Sequence, residues 1–215
     1  MNHLFVAIIG FTISVPAVIG LVRLRRIDKT YYPFIFYLFL GILNEVVSFI
    51  LIRSGESNAV TGNLYLLLGS LLISYQFFLW DLFKNKAGFS LLCLFLLGIW
   101  IGEVYFIRGM QAFASYFIML YSLFIVFLSI AKINQLLDLE NRQLLRNPVF
   151  IICTGFILFY TIAFAMEAFY LYGTSSNLLQ KYIFRIMVFI NLPTNFLYSL
   201  AALWIPRKKI FLFWP

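Results

Sequence analysis

Four ionisable residues lie inside long apolar stretches of this chain. They are Glu45, Glu103, Glu167 and Arg185. In a lipid-embedded helix a charged side chain at mid-depth costs about 2.5–3.5 kcal/mol on insertion scales, and such residues usually face the bundle interior or a cavity. Three carboxylates and one guanidinium in that setting could bind a polar small molecule or a cation.

Amide side chains accompany these charges. Asn44 lies beside the first glutamate, and Gln76 lies in the next apolar stretch. Asn191 and Asn195 stand on either side of Pro193, four residues apart and therefore on one face of a helix. Pro193 favours a kink, and the two asparagine side chains could bond the backbone carbonyl that the kink frees.

The composition requires that most of these stretches contact a lipid bilayer. The 215 residues are 63% hydrophobic and 11% charged, with a mean hydropathy of +0.97. Soluble domains are about 45–50% apolar and about 25% charged. A soluble enzyme, a disordered tail and a secreted disulfide scaffold are therefore excluded. The two cysteines, Cys93 and Cys153, fall in apolar stretches, where we expect them to act as small core residues.

Seven apolar runs are long enough to cross a bilayer as helices, which takes about 20 residues. The runs are continuous and lack the alternation of a membrane β-barrel. We therefore predict an all-α, polytopic bundle of seven transmembrane helices in a single domain, residues 1–215. The predicted spans are 3–22, 33–52, 64–83, 89–108, 113–132, 149–172 and 182–205.

The basic residues between the spans predict the orientation of the bundle. Twelve of the 16 lysines and arginines fall on one side, and four fall on the other. By the positive-inside rule the richer side is cytoplasmic, which puts the N-terminus outside and the C-terminus inside. The ionisable residues within the spans then lie in the outer half of the bilayer. The outer side holds Arg53, Arg108, Lys181 and Arg185.

The polar residues of the spans predict a pocket that opens to the outside. The competing interpretation is structural, since amide side chains also join transmembrane helices through hydrogen bonds. Glu45 is the hardest to explain in that way, because it is the deepest of the acidic residues. We expect the pocket between the second, third, sixth and seventh helices, lined by Glu45, Asn44, Gln76, Glu103, Glu167, Arg185, Asn191 and Asn195.

Motifs for catalysis and for common cofactors are missing from the sequence. The single histidine, His3, excludes a histidine-cluster zinc site or a bis-histidine haem within one chain. No phosphate-binding loop, dinucleotide fingerprint or serine-hydrolase elbow occurs. We predict no enzymatic activity, no cofactor and no metal site. The net charge of +8 reflects orientation signals, so no nucleic acid partner is expected.

The longest linker, 133–147, is a candidate docking segment. Its leucines recur at near-helical spacing, and Asp138 and Arg142 stand four residues apart. This pattern favours an extension of the fifth helix or a short helix at the membrane surface. A plain membrane-surface helix is the first interpretation of this segment; contact with a cytoplasmic or membrane partner protein, through this linker and the basic C-terminus, is the second.

Two further patterns concern helix packing. The second and sixth spans begin at prolines, Pro33 and Pro148, and the third and seventh end with tryptophan followed by basic residues. This pattern predicts a parallel 3+1+3 repeat, as in some transporters. Gly98 and Gly102 form a GxxxG pattern, which predicts close helix packing, within this chain in preference to a second copy.

Several short features resemble those of one group of proteins, the short seven-helix inner-membrane proteins of Bacteroidota. The resemblance spans most of the chain. It implies a bacterial inner (plasma) membrane and no particular activity. The features are Tyr32-Pro33, the Asn44-Glu45 pair, Asn63-Leu64-Tyr65, and Trp204 before Pro206-Arg207-Lys208.

Taken together, these patterns predict a membrane sensor or receptor-like protein. It would bind a small ligand in the outward pocket and signal through a partner chain. A small-molecule or cation transporter is a second interpretation, because Gln76, Asn195 and Ser199 continue the polar groups inward. A structural subunit of a larger membrane complex is the third.

Overall fold

The computed structural model describes residues 3–83, 85–139, 144–172 and 177–207. Within these ranges the chain is helical and forms no β-strand. Seven helical stretches are long and apolar enough to span a membrane, which confirms the all-α, seven-helix prediction. Parts of the predicted docking segments, namely linker residues 140–143 and everything after Arg207, lie outside the described residues.

The helices follow the predicted spans, with shifts at their ends. The first span consists of two helices joined by a 3-10 turn at Phe11–Ile13. The fourth span ends in a π-helical turn, Gly102–Ile107. The helices are α1 (His3–Gly10), α2 (Ser14–Arg23), α3 (Tyr32–Arg53), α4 (Ala59–Leu79), α5 (Lys86–Ile101), α6 (Ser115–Leu139), α7 (Pro148–Tyr172) and α8 (Asn177–Trp204).

Six of these helices close into a ring. Following the ring, α2 packs on α3, α3 on α4, α4 on α6, α6 on α7, α7 on α8, and α8 on α2. The fourth span, α5, lies outside the ring against α4 and α6. Neighbours in the ring are therefore mostly neighbours in sequence, as short connections require.

The ends of α2 and α8 are tied together at one end of the bundle. The Arg23 guanidinium donates to the carbonyls of Ala202 and Leu203, and its Nη2 donates to Ile205 O at 3.1 Å. The backbone nitrogen of Asp28 also donates to the Pro206 carbonyl at 3.1 Å. The first basic linker thus lies beside the end of α8, at the end of the bundle where α4 and α6 also finish.

An aromatic core fills this end of the ring. Phe156 packs edge-to-face against Phe34 and Tyr198, with ring centroids 6.3 and 5.7 Å apart, and lies 6.1 Å from Phe77. Gly155 makes room for Tyr198, because a Cβ added at Gly155 would lie 2.5 Å from that ring. α7 and α8 can therefore pack closely here.

The α6 helix continues past the predicted span end at 132. The Lys132 side chain is buried, and its Nζ donates to Trp80 O at 2.5 Å and to Gln135 Oε1 at 2.8 Å. The extension to Leu139 agrees with the interpretation of this linker as a continued helix.

The GxxxG pattern of α5 does not pack within this chain. A Cβ added at Gly98 or Gly102 would meet no atom within 4 Å. The preference for intramolecular packing was therefore wrong for these two glycines. Their helix lies at the periphery, where no other described helix approaches that face.

Candidate functional site

A cavity of about 350 Å³ lies between α3, α4, α6 and α7, with Met187 of α8 also in its lining. This volume is within the range of small-molecule pockets, about 300–1,000 Å³. The lining of the cavity includes Asn58 and Phe113, which lie at the end of the bundle opposite the aromatic core. We call it the tyrosine cavity. Its polar wall consists of Tyr37, Asn44, Asn58, Tyr65, Tyr121, Ser122, Tyr160 and Glu167.

Helix periodicity arranges this wall in two layers. Tyr37 and Asn44 stand seven residues apart on α3, and Tyr160 and Glu167 have the same spacing on α7. Seven residues are nearly two turns, so each pair shares a face and is separated by about 10 Å along the helix. Asn44 and Glu167 therefore form an outer layer, and Tyr37 and Tyr160 form a deep layer.

Hydrogen-bonded tyrosines form the deep layer. The hydroxyl oxygens of Tyr37 and Tyr160 lie 3.0 Å apart, and the Tyr121 hydroxyl donates to that of Tyr160. The Tyr65 ring stacks on that of Tyr37, with centroids 6.5 Å apart. These side chains come from four helices, so the cluster joins α3, α4, α6 and α7 at one point.

Two polar atoms in the wall of the tyrosine cavity lack partners. Ser122 is 0% exposed and its hydroxyl has no hydrogen bond, and the Oδ1 atom of Asn44 is likewise buried without one. Most buried polar atoms in proteins are bonded, and leaving one unpaired costs about 1–3 kcal/mol. Because both residues belong to the cavity wall, a small side-chain rotation would present these atoms to a ligand.

Glu167 is the charged residue of the outer layer. It is 7% exposed and interacts with the Ser115 hydroxyl and with the charges of Arg108 and Glu103. The Arg108 Nε lies 3.5 Å from Glu103 Oε1. This is the only ion pair among the described residues. Arg108 is thus committed mainly to Glu103, which leaves the Glu167 carboxylate without an ion pair there.

Glu103 has a structural role in this geometry. Its Oε1 accepts from the Tyr116 nitrogen at 2.9 Å and its Oε2 from the Phe117 nitrogen at 2.6 Å. These are free amides at the start of α6, where a carboxylate also complements the helix dipole. Glu103 therefore caps α6 and does not line the tyrosine cavity.

Gln76 is also a structural clamp. The side chain is 0% exposed; its Oε1 accepts from the Phe34 nitrogen at 2.9 Å and its Nε2 donates to Thr30 O at 2.5 Å. Pro33 opens α3 beside this contact. Gln76 thus joins the end of α4 to the start of α3, as the interhelical alternative for this residue predicts.

The three predicted site residues of α8 do not reach the cavity. Asn191 donates to the carbonyls of Met187 and Val188 in its own helix, at 3.1 and 3.2 Å. Asn195 donates to Thr12 Oγ1 at 2.8 Å and so links α8 to the first span. Arg185 is exposed and lies over the Tyr182 ring, 5.7 Å from its centroid.

Glu45 lies in a different place from Asn44. It lines a groove of about 490 Å³ between α1 and α3. Val6, Ser48 and Arg53 also line this groove. Its carboxylate packs against Gly10 of α1. Since consecutive helix residues point about 100° apart, Asn44 and Glu45 face separate spaces on α3.

The structure therefore divides the predicted pocket. Asn44 and Glu167 line the tyrosine cavity and Glu45 lines the second groove, while Gln76, Glu103, Arg185, Asn191 and Asn195 lie outside both. Sequence reasoning missed the tyrosines and Ser122. The seven-residue spacing of tyrosine and polar residues on α3 and α7 is the signal that could have found them.

Comparison with known proteins does not assign this chain to a family. No protein-family model, no curated protein and no solved structure matches this chain. By length and composition its seven helices are those of a multi-pass membrane protein. The tyrosine cavity is therefore the feature of this chain that bears on its function.

Proposed function

We propose that this protein is a membrane sensor or receptor-like protein that binds a small molecule in the tyrosine cavity. One observation carries the proposal: a 350 Å³ space inside the bundle combines a buried carboxylate with unpaired polar atoms. A buried polar side chain that only joined helices would find its partners in the neighbouring segment, as Gln76 does. Asn44 Oδ1 and the Ser122 hydroxyl, by contrast, have no partner in the wall of the tyrosine cavity.

The α6 helix supports a signalling role. It contributes Tyr121 and Ser122 to the wall and continues to Leu139 at the opposite end of the bundle. A ligand that shifts α6 by an ångström or two would move this extension, which is a common way for helices to transmit a change. The proposed partner chain contacts residues 133–147 and the basic C-terminus.

The proposal includes the topology and the location. The positive-inside rule supports an N-terminus outside, and the cavity then opens outward. The resemblance to Bacteroidota proteins supports the inner membrane of a bacterium. The peripheral position of α5, the fourth span, supports a parallel 3+1+3 arrangement of the other six.

Filling the cavity tests the proposal. Ala163 lines the cavity and is buried, so Ala163→Leu puts three extra carbons into the space. Compounds that raise the unfolding temperature of the detergent-solubilised protein should lose that effect in this variant. Ala87→Leu, at an exposed position of α5, is the matched control. If hits from a metabolite library stabilise Ala163→Leu and the parent equally, the cavity is not the binding site.

Transport is a second candidate, favoured by buried hydroxyls beyond the cavity. Ser74, Ser129 and Tyr198 have unpartnered hydroxyls toward the far end of the bundle. The aromatic core around Phe156 closes that end in this conformation. Proteoliposome flux of a compound identified by thermal shift, lost in Ala163→Leu, would favour transport over sensing.

A further inference from the structure

We infer that the tyrosine cavity selects an amine: a primary to tertiary ammonium group on a compact apolar body. This inference rests on the proposed function and names the ligand class of the same site. Three features of the wall carry it. They are the charge of the wall, its aromatic rings and its unpaired acceptors.

The ionisable group of the wall is acidic. Glu167 is the one acidic or basic residue among the described residues that line the cavity. The nearby Arg108 pairs with Glu103 at 3.5 Å, and Glu103 is itself held by two amides of α6. A buried carboxylate without an ion pair is costly in a membrane. A cationic ligand would repay that cost, whereas an anion would add to it.

Six aromatic side chains of the described residues line the cavity that holds this carboxylate. Phe113, Tyr65 and Phe159 line the cavity together with the deep tyrosines. The faces of such rings attract cations within about 6 Å of their centroids, most strongly where water is excluded. The same rings also pack against an apolar body, so they accept an organic ammonium in preference to a hydrated metal ion.

The unpaired atoms of the wall can accept hydrogen bonds from a ligand. Asn44 Oδ1 is an acceptor in the outer layer with Glu167, and it has no donor in the protein. The N–H groups of an ammonium bound in this layer would supply the missing donor. The fully buried, unpaired Ser122 hydroxyl lies toward the deep layer, where a hydroxyl on the apolar body could reach it.

Charged thiol reagents test the inference without knowledge of the natural ligand. In a Cys93→Ala/Cys153→Ala background, Met166→Cys puts a reporter beside Glu167 and Leu66→Cys puts one on the opposite wall; both residues line the cavity. Phe106→Cys, where the parent residue is 84% exposed at the same end of the bundle, is the surface control. Each is treated with a trimethylammonium and a sulfonate methanethiosulfonate of the same chain length.

The expected result is a charge preference confined to the cavity. Relative to Phe106→Cys, both cavity reporters should favour the trimethylammonium reagent by about tenfold, equivalent to about 1.4 kcal/mol. Glu167→Gln should reduce this ratio to the control value. Phenethylamine should protect Met166→Cys, and 3-phenylpropionate, which has a similar body and the opposite charge, should not.

Two other results would each be decisive. If both cavity reporters react without charge preference, the cavity and the proposed function stand and the amine inference is overturned. If neither reporter reacts while Phe106→Cys does, the cavity is closed to solutes, which overturns the proposed function and the inference together.

Discussion

The hydroxyl oxygens of Tyr37 and Tyr160 lie 3.0 Å apart at the buried centre of the bundle, although 123 positions separate them in sequence. One tyrosine belongs to α3 and the other to α7, on opposite sides of the tyrosine cavity. Tyr121 of α6 donates to the same Tyr160 hydroxyl. These contacts lie at the deep end of the cavity and couple three helices. A ligand bound above them would therefore affect the positions of all three helices.

Tyr160→Phe should destabilise the protein more than Tyr37→Phe. The Tyr160 hydroxyl is the hydrogen-bond partner of both Tyr37 and Tyr121, so removing it takes a partner from two hydroxyls. Each buried polar group left unpaired costs about 1–3 kcal/mol. Denaturation in detergent measures the effect, with exposed Tyr105→Phe as a control expected to change nothing. A double-mutant cycle showing no coupling between Tyr37 and Tyr160 would contradict the hydrogen bond.

Gln76→Ala should lower the free energy of unfolding by about 1–3 kcal/mol, because the Phe34 amide and the Thr30 carbonyl lose their shared partner. The same change at Gln111, in the exposed α5–α6 connection, should be nearly neutral. Reactivity of the Met166→Cys reporter should not change, since Gln76 does not line the cavity. A changed reactivity with unchanged stability would place Gln76 in the site after all.

Glu103→Ala should also lower the free energy of unfolding, by about 1–3 kcal/mol. Two amides at the start of α6 and the Arg108 guanidinium lose their acceptor in this variant. Unfolding in detergent checks this, with exposed Glu56→Ala as the comparison. Arg108 would then be free to pair with Glu167. We therefore expect the charge preference at Met166→Cys to fall, though less than in Glu167→Gln.

Two glycine-to-alanine changes should have opposite effects. Gly155→Ala forces a Cβ to within 2.5 Å of the Tyr198 ring, and such overpacking costs about 1–3 kcal/mol. Gly98→Ala meets nothing within 4 Å and should stabilise α5 by up to about 1 kcal/mol. Thermal unfolding distinguishes them. A destabilising Gly98→Ala would show that this face of α5 is occupied by another chain.

Glu45→Gln should leave the tyrosine cavity unaffected. Glu45 lines the α1–α3 groove and packs against Gly10, so it does not set the charge at Glu167. The reagent ratio at Met166→Cys should match that of the parent. If Glu45→Gln abolishes the preference as fully as Glu167→Gln does, the two spaces act as one site.

Much of the fold follows from local properties of the chain. The continuity and length of the apolar runs determine seven helices, because only internally bonded helices can cross a bilayer as single stretches. Glu103 and Gln76 show where such reasoning stops. Both were recognised as unusual, but their partners are backbone amides 13 and 42 positions away, and no sequence pattern identifies a backbone amide as free.

The sequence by itself therefore determined which residues lie in apolar helices and which of these are polar. Only the tertiary structure decided which of them meet. Asn44 and Glu45 are adjacent in sequence yet line separate spaces, whereas Asn44 and Glu167 line one cavity. The reason is geometric: helical periodicity assigns each residue to a face, and the packing of neighbouring helices decides whether that face meets a backbone, a lipid chain or a space large enough for a ligand.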